Sequence, residues 1–446
     1  MRSAGALATL CLVSLFVTAR GVGAQGLPAP TCDSSPAAVA RDAASLRETI
    51  REALVFLLTE PGRGLDLRAL ERIQASIGIE SVGPGRVVPA PADDPTRRRP
   101  AGTSPGEPPG VISDWVGVNP ATCNQFRIRV PVQTRSIVAG LARDKGLAKA
   151  DPGPGFRVDD VARPGDWNVP PGEQYVPPQT GPYFSGCVDT RIRWGTAGGP
   201  HRALANFSAD GQASSCTGTM VGPRHVITAA HCVFLGGNWN DFTVIPARDG
   251  ATWPVGSTQM SDTQGLNSGF RWYWIPAPLF ENPLLDNSGL DIAILILPKR
   301  LGEGTGWMGV VARPDAALVS AYHRNLGYPG QPGLPIGLHP SQVEGGLYGD
   351  INRCDVGDFA FPDADGWGRV ADHSCDLTSG HSGGPIFHWF FDPALNTIVP
   401  VVSMIISSHP AFANDFDCPN DPRPYQATRI TPEYVQWFLF FRSWKP

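Results

Sequence analysis

The sequence predicts an all-β C-terminal domain closed by a single helix and preceded by a mixed, partly irregular N-terminal region. Three observations carry this. Glycine (51) and proline (45) are both abundant among the 446 residues, a texture of many turns rather than long helices. From about residue 196 short apolar runs alternate with turn residues, as strands do. The chain then closes with Thr431-Pro432-Glu433, a helix-start signal, ahead of the aromatic run YVQWFLFF.

In chain order, residues 1–24 read as an export signal peptide. Arg2 gives the positive start, LATLCLVSLFV (7–17) the apolar centre, and Val22-Gly23-Ala24 a small-residue cleavage site before Gln25. A membrane anchor is the rival. It needs roughly 20 apolar residues, and this shorter run is interrupted at Arg20. Secretion, extracellular or periplasmic, is therefore expected, with no membrane partner once the signal is removed.

Residues 25–87 form a helical segment. Ser35 suits an N-cap and Pro36 the first turn, while Leu46, Ile50, Leu54 and Leu57 fall on one face. Such a segment fits a propeptide that inhibits or chaperones the rest, making the chain a zymogen, or a helix that only packs on its neighbours. Residues 88–110 are a Pro-rich linker. Its Arg97-Arg98-Arg99 offers a processing site, although Pro100 opposes cleavage directly after it. Residues 111–190 mix short apolar runs with Pro-Gly stretches and carry no motif, an N-terminal extension of unassigned role: a propeptide, a small accessory module, or a segment wrapping the C-terminal domain, tied down in part by Cys123 and Cys187. Residues 191–446 hold the strand-like runs, at 226–228, 242–245, 292–297 and 401–406.

The formal net charge of −5 gives no electrostatic reason to expect nucleic acid as a partner. Cys11 leaves with the signal, so eight cysteines remain: Cys32, Cys123, Cys187, Cys216, Cys232, Cys354, Cys375 and Cys418. An even count in an exported chain reads as disulfides. A zinc site needs CxxC pairs or clustered histidines, and neither occurs, so no metal and no cofactor are expected.

Three segments supply the parts of a serine nucleophile system: a hydroxyl, a base, an orienting carboxylate and backbone N–H donors for an oxyanion. The first is CTGTMVGPRHVITAAHC (216–232), two short strands with a turn at Gly222-Pro223. Cys216 and Cys232 flank it at a spacing that would pin the loop bearing His231. The second is GLDIAILIL (289–297), where Asp291 opens a buried strand sixty residues after His231. An acid there needs a partner, because an unpaired buried charge is costly. The third is CDLTSGHSGGPIF (375–387), with Ser382 as nucleophile and the N–H groups of Gly380 and Ser382 as the oxyanion hole. Gly380 to Gly384 also fits the GxSxG elbow of α/β-hydrolases. That fold needs the order Ser, acid, His. Only His388 and His409 follow Ser382, with 64 residues left for the rest of such a sheet.

These segments resemble the trypsin/chymotrypsin-like serine protease superfamily. The stretch from Cys216, NLGYPG (325–330) and QATRITPEYVQWF (426–438) are similar to its secreted glutamyl-endopeptidase-like branch. The resemblance implies two antiparallel β-barrels with the cleft between them, and a catalytic triad of His231, Asp291 and Ser382. Protein or peptide substrates follow, with the N-terminal region as a candidate intramolecular inhibitor. It also implies a Cys354–Cys375 disulfide. The partners of Cys32, Cys123, Cys187 and Cys418 stay open. A catalytically weak homologue serving as an extracellular binding protein is the alternative.

The departures from the family bear on activation and specificity. His381 stands where trypsin-like zymogens carry an acid, and no IVGG-like start occurs near residue 190, so activation by that salt bridge is not expected. For substrate binding the resemblance points to Asp376, Thr378, Ile405, Ser407 and Ser408, with the two serines at the pocket edge. Asp376 suits a basic substrate residue. Ile405 or Ile406 stands where Glu-specific relatives place histidine, which leaves glutamate and an apolar or small residue as equal alternatives.

Overall fold

In the computed structural model, the described residues are 32–60, 64–89, 110–151, 191–209, 214–263, 269–283, 285, 289–330, 344–350, 354–375, 377, 380–392, 396–408 and 425–445. The signal segment and most of the linker lie outside them. The short apolar runs pair into two large sheets, so the protein is mostly β, and it closes on a helix, Pro432–Arg442.

One sheet has ten antiparallel strands. Its centre is formed by Ser214–Met220, His225–Thr228, Ala293–Ile296 and Trp272–Pro276. Every residue of Ala293–Ile296 and Trp272–Pro276 is buried, which is why AILI and WYWIP read as continuous apolar runs rather than alternating ones. The other sheet has seven strands and is built around Pro385–Asp392, Thr397–Ser408 and Tyr425–Arg429. Ser382 stands on the turn entering it.

The N-terminal region is woven into the first sheet. Helix Pro36–Leu58 starts at Ser35, whose hydroxyl accepts from the Ala38 N–H, and buries Leu46, Ile50, Leu54 and Leu57. Strand Asp114–Val118 pairs with Trp272–Pro276, and Asn124–Arg129 and Gly78–Pro84 extend the sheet beyond it. Cys32 and Cys123 are joined, tying the helix to this hairpin. Asp42 completes the tie by accepting from Asn119, Thr122 and Asn124. No helix among the described residues is long and apolar enough to cross a membrane.

Candidate active site

Strand register brings His231 and Asp291 together. His225–Thr228 runs antiparallel to Ala293–Ile296 with Thr228 opposite Ala293. The chain then turns into the short helix Ala230–Val233, so His231 faces the residue two places before Ala293. Asp291 has no exposed surface. Its Oδ1 accepts from the His231 backbone N–H (2.8 Å), and its Oδ2 lies 2.7 Å from His231 Nδ1. The Ser407 hydroxyl donates to the same Oδ2 at 2.6 Å. Three donors thus replace the water that a buried carboxylate has lost. With a proton on Nδ1 facing Asp291, Nε2 is left as the basic nitrogen, and the His231 side chain keeps 17 % of its surface exposed.

The serine loop is held from the opposite strand by Thr217. Its N–H donates to the Ser382 carbonyl (2.8 Å), and its hydroxyl donates to the Gly380 carbonyl (2.7 Å) while accepting from the Tyr328 N–H (2.8 Å). Gly383 N–H donates to Ile406 O at 2.8 Å, and Ile406 N–H to Gly384 O at 2.9 Å. The turn requires glycine at two places. Gly380 has φ +92° and a Cβ there would stand 2.3 Å from Tyr328 O; Gly383 has φ +80° and a Cβ would meet Thr228 Oγ1 at 2.0 Å. Ser382 itself is half-buried.

Cys216 and Cys232 are bonded, as their spacing suggested, and Cys232 Sγ lies 3.6 Å from the Ser382 carbonyl oxygen. The disulfide therefore fixes the histidine segment against both the Thr217 strand and the serine loop. Cys216, His231 and Cys232 cluster closely enough to suggest a metal set, but sulfurs bonded to each other offer no thiolate. Cys354 and Cys375 are likewise joined.

The remaining expected site residues scatter. Ser407, expected at a pocket edge, turns its hydroxyl to Asp291. Ile405 is fully buried between Pro385 and Thr428. Ser408 ends its strand opposite Gln426. Asp376 and Thr378 lie outside the described residues. His381 is buried with its ring edge against Gly327. Sequence reasoning missed Thr217 and Thr428, whose hydroxyl donates to the Asp291 carbonyl at 3.1 Å. Neither carries a local signal. Only the register between distant strands shows what they touch.

Residues 216–388 match the family model described as a trypsin-like peptidase domain. The chain is 31 % identical over 160 residues to a glutamyl endopeptidase of Bacillus licheniformis, an alignment covering 34 % of this chain and 45 % of the relative. The chain thus spans less than half the length of that curated relative. Among solved structures it is similar to a Glu endopeptidase in complex with MPD, at 16 % identity, TM-score 0.41, 57 % of this chain and 97 % of the other. It is also similar to a thermostable serine protease from an extremophilic microorganism, at 17 % identity, TM-score 0.35, 55 % and 98 %. A third is the protease Anisep from Arthrobacter nicotinovorans, at 16 % identity, TM-score 0.32, 51 % and 88 %.

Proposed function

We propose that this chain, which carries a trypsin-like peptidase domain over residues 216–388, is a secreted serine endopeptidase. The observation that carries the reading is the buried Asp291 holding Nδ1 of a partly exposed His231, next to the clamped loop of Ser382. In this reading the sheet around His231 and the sheet around Ser382 are two antiparallel β-barrels with the cleft between them.

The reaction is acyl transfer. Neutral His231 takes the Ser382 proton at Nε2 as the serine oxygen attacks the scissile carbonyl. Asp291 keeps the imidazole in the right tautomer and stabilises the imidazolium that forms. The N–H groups of Gly380 and Ser382 receive the oxyanion. His231 then gives its proton to the leaving amine. Water, deprotonated by the same nitrogen, releases the acyl group and restores Ser382.

Specificity for glutamate, named for the curated relative, is not what this chain's chemistry favours. Ile405 and Ile406 stand on the strand where the resemblance would place histidine, and both are buried in the core. Cleavage after apolar or small residues is the alternative that the missing histidine leaves. A peptide library cut mainly after glutamate would overturn this part.

Ser382→Ala tests the assignment. Activity on a protein substrate should fall on the order of 10⁶-fold, as it does when a nucleophile of this kind is removed. A variant keeping half the activity sinks the assignment. Folded wild-type protein with no hydrolysis at all would instead favour an extracellular binding protein.

A further inference from the structure

The N-terminal region reaches the catalytic histidine through a short strand. Val87–Pro89 pairs in parallel with Asn238–Asp241, placing Val87 opposite Trp239 and Val88 opposite Asn240. Trp239 N–H donates to the Arg86 carbonyl at 2.9 Å. Asn238–Asp241 in turn pairs with Phe234–Leu235, the two residues that follow the histidine helix. The Asn240 amide donates to the carbonyl of Cys232, the neighbour of His231, at 3.0 Å. Gln125, on another N-terminal strand, locks the arrangement. Oriented by its hydrogen-bond network, its side-chain carbonyl accepts from Trp239 Nε1 (3.0 Å) and Gly85 N–H (3.2 Å).

The same region is anchored far from that strand. Glu433, on the C-terminal helix, is buried between Arg135 (3.1 Å) and Arg369 (2.9 Å), and it also accepts from the Ile112 N–H (2.8 Å). The Ile112 carbonyl accepts from Arg135 and from Trp437 Nε1. Trp115 packs its ring against Trp437 and Phe441 at 5.7 and 5.4 Å. Asp151, at the end of the described N-terminal region, exchanges backbone hydrogen bonds with Trp307. None of these contacts is made by the His231 side chain. The His231 side chain keeps its exposure beside them.

We propose that the strand Val87–Pro89 positions the histidine segment, so that the N-terminal region is a retained part of the active enzyme rather than an inhibitor that must leave. This rests on the serine-protease reading. It adds a partner for that site: the chain's own residues 36–151, held noncovalently against 191–446. Cutting the chain between the two parts would leave them together.

Two measurements on the full-length protein test this. In the first, a specific protease site is inserted after Asp151, the chain is cut, and the product is passed over a sizing column in non-reducing, non-denaturing buffer. The parts should co-elute and label with a fluorophosphonate at the rate of the uncut protein. Separation of the parts, with 152–446 alone labelling at that rate, would overturn the proposal.

In the second, Val87→Asp and the conservative Val87→Ile are compared by labelling rate per folded molecule, with foldedness read by near-UV circular dichroism. Val87→Asp should label at least about tenfold more slowly, since small displacements of a catalytic group cost that much or more, and Val87→Ile should restore the rate. A merely structural role would lower the folded fraction of Val87→Asp and leave the rate per folded molecule unchanged. That result also overturns the proposal. If wild-type protein labels nowhere, it is the protease reading that fails, and co-elution then decides retention by itself.

Discussion

Asp291 lies where no solvent reaches, and three of its side-chain hydrogen bonds each have a distinct consequence. The His231 backbone N–H sets the position of the histidine helix, the imidazole would supply the base in the proposed reaction, and the Ser407 hydroxyl satisfies a lone pair that would otherwise face protein. A hydrogen bond to a charged group contributes about 1.5–3 kcal/mol. Ser407→Ala should therefore lower kcat/KM by roughly tenfold to a hundredfold, as each 1.4 kcal/mol is a factor of ten. Peptide kinetics on folded variant would check it, and an unchanged kcat/KM would leave Ser407 with no part in orienting the pair. Thr217→Val keeps the shape of the side chain and removes the bond to the Gly380 carbonyl. It should lower kcat more than it raises KM, because it loosens the turn that presents the oxyanion donors, while Thr217→Ser restores it.

At the scale of elements, much was legible. The run ahead of His231 reads as two strands because its apolar residues alternate with turn residues, and strands Ser214–Met220 and His225–Thr228 are found there. The C-terminal helix follows from Thr431-Pro432-Glu433. Ser407 was placed at a pocket edge because strand identity can be read locally, whereas the direction of its hydroxyl depends on a residue 116 positions away. Glu433 is a similar case. As a helix-start acid it looks like a dipole partner, yet it sits buried between two arginines from separate parts of the chain. Glu433→Ala leaves both guanidinium groups without their carboxylate. It should cost about 3–5 kcal/mol of stability in urea unfolding, the usual result of breaking a buried pair on one side. A change within 0.5 kcal/mol would mean that the network contributes little.

For the whole molecule, the sequence left the placement of residues 36–151 open between a propeptide, an accessory module and an extension packed on the rest. In the structure their strands continue the sheet of His231. The sequence could not choose, because the pairing of Asp114–Val118 with Trp272–Pro276 has no signature in either segment alone. Two buried histidines of the second sheet contribute to how the molecule responds to acid. Burial lowers the pKa of both His373 and His388 from 6.5 to about 3, with His323 adding repulsion to each and Arg313 to His388. Both are neutral in the folded and the unfolded chain well above pH 6.5, so the stability they contribute is fully present there. Below it the unfolded chain takes up protons that the folded chain refuses. Stability then falls as pH drops toward 3, by up to about 1.4 kcal/mol per pH unit for each histidine. Urea midpoints between pH 7 and 4 should show this slope, and His388→Gln should make it shallower. A flat profile would contradict the burial of these rings as neutral groups.

The measurement that bears most directly on the account is covalent labelling of the folded protein with a fluorophosphonate, followed by mapping of the modified peptide. Only a serine oxygen activated by a positioned base reacts readily with such a probe. The account predicts a single adduct on Ser382, absent in Ser382→Ala and slowed by orders of magnitude in His231→Ala. Folded protein that stays unlabelled, or labels equally well without His231, would contradict it.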